Sequence, residues 1–351
     1  MRAFFKRHLG VHIWLLGVLT LFALYWAGVS SPAAANAVCA VTQRLKDGYA
    51  GLWYLFPFSV VEWFYAAFIL GSLAWLAILL RRLLVRREGR GHAAYGGLLG
   101  LACLFLTAYG FYCVMWGVNY YADGFQVKSG VYAQPVAVEE LERVTARFVR
   151  GLEETADQVA RDGDGLFAVD REDIFEASPG IYENLSREFP FLARRDRVPK
   201  KMFFSRLFSA MNFTGFYSPY TGESNLNVDS PAHELAHQRG IASEQECNFL
   251  AIAAATSSED PVYQYSGYLM GYIHLSNALY RADPARWERT CGDLPETVRA
   301  DLRYHSAYWD QFEGLTAKVS KAVYDSALKS YGQTDGIQSY GTVVDLLTAY
   351  Y

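Results

Sequence analysis

The chain has 351 residues, of which 52% are hydrophobic and 19% charged, with a formal net charge of −4. That charge is unevenly spread: ten Lys/Arg against three Asp/Glu give residues 1–118 a charge of +7, and 22 Lys/Arg against 33 Asp/Glu give residues 119–351 a charge of −11. The chain is therefore two differently solvated pieces. A uniformly soluble enzyme, a disordered chain and a nucleic-acid binder are excluded, the last because the polar piece has the wrong sign.

Three stretches, 11–30, 57–80 and 95–118, are apolar throughout and meet the length of roughly 20 residues needed to cross the hydrocarbon of a bilayer. Arg2, Lys6 and Arg7 precede the first, and Arg81, Arg82, Arg86, Arg87 and Arg90 crowd the connection between the second and third. Positive charge stays in the cytoplasm, which places the N-terminus and the 81–94 loop inside, and the 31–56 loop and everything after about residue 119 outside. Trp53, Trp116, Tyr120 and Tyr121 fall where an interfacial aromatic belt sits. The first stretch, followed by the small-residue run 33–37, also reads as a cleavable signal peptide, and the C-terminal piece ends outside either way. Glu62 reads as an interfacial residue reaching the headgroups or as an intramembrane acid. Cys103 and Cys113 fall in the third stretch, whereas Cys39 and Cys291 share the outer side, where a disulfide between them is open.

Residues 135–163 carry apolar positions three and four apart and predict an amphipathic helix. The loop 161–165 ends it, and Pro179, Pro190 and Pro199 break up the less regular stretch to about residue 200. Asn184-Leu185-Ser186 and Asn212-Phe213-Thr214 match the glycosylation pattern by chance. Residues 211–229 predict strand, turn, strand around Pro219-Tyr220-Thr221-Gly222, with the alternation Ser224-Asn225-Leu226-Asn227-Val228 in the second strand. Helices come next, and 332–351 is a turn-rich run closing on apolar residues 343–347.

His233-Glu234-Leu235-Ala236-His237 is an HExxH string on a predicted helix. Histidines four residues apart project from one helical face and can share a Zn²⁺, with Glu234 placed to act as general base on a water. Gly240 suits the left-handed position that ends a helix, and Ser243 with Glu246 makes a capping box for the next one. Glu244 is then left without a capping task and is the better third ligand, with Asn248 one turn on as its supporting neighbour. The spacing HExxHxxGxxH fails at Ser243, a poor zinc ligand. Zn²⁺ suits two His and one Glu, with Mn²⁺ and Fe²⁺ open by residue type. Hydrolysis also needs a donor for the developing negative charge. Tyr217, Tyr220, Tyr272, His274, Tyr304 and His305 are candidates, His274 and Tyr304 foremost.

The HExxH string followed by Glu244-Gln245-Glu246-Cys247-Asn248 resembles gluzincin metallopeptidases, whose second motif is a Glu followed four residues later by Asp or Asn. It is similar to the membrane-embedded CAAX-processing and HtpX-like proteases, the minigluzincins and the peptidase domain of beta-lactam-sensing transducers. Most closely, with Thr214-Gly215-Phe216-Tyr217, Thr221-Gly222-Glu223 and Asp335-Gly336-Ile337-Gln338-Ser339-Tyr340-Gly341, nearly the whole chain resembles the bacterial membrane family called domain of unknown function 3810. The resemblance implies a three-span α-helical anchor (1–118) and an α+β zincin-like metallopeptidase domain (119–351), mostly helical with a small sheet, in the bacterial cytoplasmic membrane. It implies a protein or peptide substrate, held by an edge strand within 214–228 with Tyr217, Tyr220 and Asn225 as contacts. A zinc-domain sensor or assembly protein without turnover is the alternative. The interval between His237 and Glu244 is shorter than the broader gluzincin pattern.

Overall fold

The computed structural model describes residues 2–85, 88–211, 214–226, 231–310 and 340–351, with isolated positions between 318 and 326. Arg86, Arg87, Asn212, Phe213, Asn227, Val228 and the 335–339 part of the C-terminal string lie outside the described residues. The chain forms two units, residues 1–122 with 218–223, and residues 123–217 with 224–351.

The first unit contains α1 (Arg2–Arg7), α2 (Leu9–Gly28), α3 (Pro32–Trp53), α4 (Val60–Val85) and α5 (Arg90–Met115), closing on a 3-10 turn over Gly117–Tyr121. Helices α2, α4 and α5 are long and apolar enough to cross a membrane and fall on the three expected stretches. Much of their apolar surface faces outward, as at Leu16, Leu70 and Leu98, more than half exposed each. Lipid covers such surface; water would not tolerate so much of it. These helices mark a membrane protein. The boundary expected at 118 moves to 122 because the 3-10 turn packs on α3 and α5.

The 31–56 segment, expected as a loop, is the helix α3. Ser31 caps it by accepting the Ala34 N–H at 3.2 Å, and Pro32 takes the first helical position. Its buried stripe, Ala35, Thr42, Lys46 and Ala50, is small or polar, so hydropathy alone conceals it. Lys46 donates to the Met115 carbonyl at 2.9 Å, and the Cys39 thiol donates to Asn119 Oδ1 at 3.2 Å. The structure contains no Cys39–Cys291 disulfide, and Cys291 is buried beside Tyr272 and Ser276 in the second unit. Glu62 is buried in the first turn of α4, where a helix N-terminus favours an acid.

Residues 218–223 belong to this unit. The Glu223 carboxylate, fully buried, accepts the N–H groups of Val60 and Val61 at 3.3 and 3.0 Å and so caps α4. Tyr49 donates to the Pro219 carbonyl. Tyr220, expected to touch substrate, donates instead to the Ala108 carbonyl at 3.1 Å and stacks on Phe111 with ring centroids 5.5 Å apart.

The second unit runs through α6 (Phe125–Ser129), α7 (Val138–Thr155), α8 (Arg171–Ala177), α9 (Glu183–Glu188), β1 (Lys200–Lys201), α10 (Ser205–Ala210), β2 (Gly215–Tyr217), β3 (Ser224–Leu226), α11 (Pro231–Gln238), α12 (Glu244–Thr256), α13 (Pro261–Ala282), α14 (Pro284–Cys291), α15 (Glu296–Asp310) and α16 (Tyr340–Tyr350). The amphipathic 135–163 pattern becomes α7, which buries Leu141, Val144, Phe148 and Leu152. At the centre lies α12, with Cys247, Phe249, Leu250, Ala253 and Ala254 wholly buried, packed by α11, α13 and α16. Each buried Phe or Leu there contributes about 1.5–3 kcal/mol, so the helix that would carry the third ligand is among the most firmly held.

The strands form a small sheet of order β1-β3-β2. Tyr217 pairs with Ser224 and Phe216 with Asn225 in antiparallel register, and Lys200 pairs with Asn225 in parallel. The expected strand pair is present, but β3 is the central strand. Asn225, fully buried between two partners, is therefore not on an edge of the sheet; β1 and β2 are the edge strands.

Candidate metal centre

Helix α11 ends in a tight reversal. Gly240 has φ +82°, its N–H reaches the His237 carbonyl at 2.9 Å, and the Ile241 N–H reaches the Ala236 carbonyl at 3.3 Å. These paired bonds satisfy the last carbonyls of the helix through a left-handed glycine. Ser243 then caps α12, accepting the Glu246 N–H at 3.4 Å. The Glu246 carboxylate does not close the expected box: it accepts the N–H groups of Phe125 and Gln126 at 2.8 and 3.2 Å, capping α6 instead. Glu244, at the first position of α12, comes back over both histidines.

Each imidazole is fixed through Nδ1. His233 Nδ1 lies 2.8 Å from Asn248 Oδ1, and His237 Nδ1 lies 2.8 Å from the Ile241 carbonyl. With Nδ1–H donating to these acceptors, Nε2 is the atom that each ring would offer to a metal. They converge on one carboxylate: His233 Nε2 is 3.2 Å from Glu244 Oε2, and His237 Nε2 is 3.5 Å from Glu244 Oε1. Two ligand atoms about 2.0–2.1 Å from a shared tetrahedral ion stand about 3.3–3.4 Å apart, close to both of these separations. The expected roles of His233, His237, Glu244 and Asn248 are geometrically consistent with one another.

His233, His237 and Cys247 form a second set that could hold a metal. Cys247 Sγ, however, lies 3.3 Å from His237 Nδ1, the nitrogen already engaged by Ile241. Burial pushes its thiol up to about 11. Glu244, by contrast, is held well below the usual carboxylate range: burial opposes this, but the charge of His237 and hydrogen bonds from both imidazoles outweigh it. The two imidazoles thus have both a thiol and a carboxylate within reach.

Glu234 points between α11 and the sheet. It is 3% exposed, and among the described residues its Oε2 has no hydrogen-bond partner. A buried carboxylate oxygen left unmatched is costly, and a water at the centre would satisfy it. Burial raises its carboxyl above the ordinary range, against the pull of His237 and His233. Gly215 makes room: a Cβ there would sit 2.7 Å from Glu234 Oε1 and 2.8 Å from the Asn225 carbonyl. Side chains two apart on a strand share a face, so Tyr217 lies on the Gly215 side, toward α11. Tyr217 feels the charge of His237 and takes a hydrogen bond from Arg194; burial raises its phenol to about 12, with the Arg194 charge opposing.

Arg194 was not expected from the sequence. It lies in a basic run, Arg194-Arg195-Asp196-Arg197, that is tied to α11. Arg239 grips Asp196 with two contacts of 2.7 and 2.9 Å and stacks 3.8 Å above the Tyr182 ring. Gln238 donates to Ser224 Oγ at 2.8 Å, and Ser224 donates to the Glu234 carbonyl at 3.2 Å, pinning the helix to β3.

His274 is on α13, its pKa lowered by burial alone with no part played by the centre, and Tyr304 is 58% exposed on α15. Neither is among the charges that shift Glu234, His237 or Glu244. Tyr272 faces Ser276 and Cys291, and His305 pairs with Trp309 at 3.1 Å.

Comparison with curated proteins and with solved structures returned no match. A family model matches over residues 45–348, a span that begins inside α3 and takes in α4, α5, the sheet and the whole centre. The chain belongs to that family, described as Protein of unknown function (DUF3810).

Proposed function

We propose that this protein is a membrane-anchored zinc peptidase with a zincin-like domain that hydrolyses extracytoplasmic or membrane-proximal proteins or peptides. The observation that carries the reading is the convergence of two Nε2 atoms and the Glu244 carboxylate beside the unmatched Oε2 of Glu234. A structural zinc site has no need of that fourth group. When bound, zinc would lower the pKa of a water and polarise the scissile carbonyl.

The chain's own residues supply the rest. Glu234 accepts the proton of the attacking water and passes it to the leaving amine. Tyr217, held by Arg194, donates to the carbonyl oxygen as negative charge builds there. The outer edge of β2 takes the substrate backbone as an added strand. Asn248 and the Ile241 carbonyl hold the imidazoles in the ligating tautomer. By the distribution of Arg and Lys, the N-terminus and the 81–94 loop are cytoplasmic and the peptidase unit lies outside.

The test is cleavage of a diverse peptide pool, read by mass spectrometry, by the purified full-length protein. Chelation is expected to abolish product formation and Zn²⁺ to restore it. Cleavage that survives complete metal removal, or zinc-loaded protein that cleaves nothing in the pool, contradicts the proposal.

A further inference from the structure

One stretch of the second unit runs against the charge of its surroundings. Between Asp196 and Glu223 the chain has no Asp or Glu, and residues 194–208 hold six Lys/Arg against one Asp, a charge of +5 within a piece that carries −11. Arg194 and Asp196 face Tyr217 and Arg239. Arg195 and Arg206 are exposed, as is Lys201, which has Glu172 at 3.1 Å. Beside them stand exposed apolar side chains: Phe203 is 68% exposed, Leu207 58% and Phe204 38%. The rings of Phe203 and Phe204 meet edge-on with centroids 4.9 Å apart, and the Leu207 N–H reaches the Phe204 carbonyl at 2.9 Å, closing the turn that opens α10. The segment is fastened from behind. Met202 is buried with its N–H 3.0 Å from the Leu226 carbonyl of β3, and Phe208 stacks on Phe216 of β2 with centroids 5.5 Å apart. Exposed apolar residues are ordinary when scattered singly, whereas adjacent ones rimmed by polar residues mark an interaction surface.

We propose that residues 195–207 are a membrane-interface element with which the second unit binds an anionic bilayer surface. Phe203, Phe204 and Leu207 enter the boundary between headgroups and acyl chains, and Arg195, Lys201 and Arg206 meet lipid phosphates. Phe and Leu on one side with Arg and Lys around them is the composition of segments that lie in that plane. The long basic side chains can rest their stems on the apolar surface while their charged ends reach the headgroups. Charge complementarity singles out this segment: an anionic surface attracts basic residues within a Debye length and repels the acidic remainder of the unit. A bilayer is also the partner the chain itself keeps at hand. The second unit is joined to the membrane-spanning unit at residue 123 and again at Ser218, eleven residues beyond Leu207. The element requires only that the unit faces a leaflet, and it is independent of the HExxH centre and of its proposed activity.

The experiment is a depth measurement by electron paramagnetic resonance on full-length protein in nanodiscs of phosphatidylcholine with phosphatidylglycerol. A nitroxide is attached to Leu207→Cys, and the signal of the parent protein, with its native cysteines, is subtracted. Collisions with oxygen, which concentrates in lipid, are compared with collisions with a water-soluble nickel chelate. Relative to a label on Arg150→Cys, exposed on α7, oxygen collisions are expected to rise and nickel collisions to fall severalfold. Adding Arg195→Glu and Arg206→Glu is expected to reverse the change. Phe203→Cys carries the same expectation and serves if Leu207→Cys fails to fold. A label that meets nickel as freely as the one at position 150 lies in water, and one shielded from both reagents is covered by protein. Either result overturns the proposal, as does immersion that the two Glu substitutions leave unchanged.

Discussion

Replacing Glu234 by Gln is expected to leave one metal ion bound while lowering the turnover of cleaved peptides by about 10²–10⁴-fold, the usual contribution of a general acid–base group. The amide fills the same volume between α11 and Gly215, so neither the helix nor the three ligands should move. What it lacks is the capacity to take a proton. In the folded protein the Glu234 carboxyl lies above its ordinary range because it is buried, which brings it nearer to the pKa at which a base both holds and releases a proton at neutral pH. Zinc content by mass spectrometry together with turnover distinguishes the outcomes. Retained zinc with undiminished cleavage removes Glu234 from the mechanism, whereas lost zinc means that the variant has damaged the centre itself.

Tyr217→Phe is the second large effect, an expected fall in kcat of about 10²–10³-fold, comparable to removing one donor from an oxyanion site. The substitution deletes one hydroxyl and keeps the ring that packs behind β2, so KM and thermal stability should change little. Arg194→Lys should reproduce part of the loss, since an ammonium keeps the charge that opposes the raised phenol pKa but not the guanidinium's fixed fork. A rise in KM with kcat intact would instead assign Tyr217 to ground-state binding of the peptide.

The parts of the centre legible in the sequence all fall within a short run, 233–248. There the helical period puts His233 and His237 on one face, Gly240 forces the reversal, Ser243 starts the next helix, and Glu244 and Asn248 follow from its period. Local rules were enough because each of these steps spans one or two helical turns. The partners that complete the site come from far along the chain. Arg194 and Gly215 reach it only through tertiary packing, and Glu246 breaks a local capping rule because the N-terminus of α6, 120 residues away, offers it two N–H groups. His274 and Tyr304 were suggested by residue type alone, which carries no information about the packing that places them on α13 and α15. In the first unit, the apolar stretches were readable as α2, α4 and α5, whereas α3 hides behind Thr42 and Lys46, whose burial depends on the turn after α5. The small sheet shows the limit most clearly. Alternation identified β2 and β3, but the two-residue strand β1 has no pattern of its own, and without it β3 reads as an edge.

Whether His233, His237 and Glu244 hold one zinc ion, through two Nε2 atoms and a carboxylate, is tested most directly by X-ray absorption. The sample is the full-length protein carrying one equivalent of zinc, read at the zinc edge. The expected result is a four-coordinate shell of nitrogen and oxygen at about 2.0–2.1 Å with the multiple-scattering signature of two imidazoles. A sulfur shell at about 2.3 Å would assign the third position to Cys247, and a spectrum without two imidazoles would contradict the centre altogether.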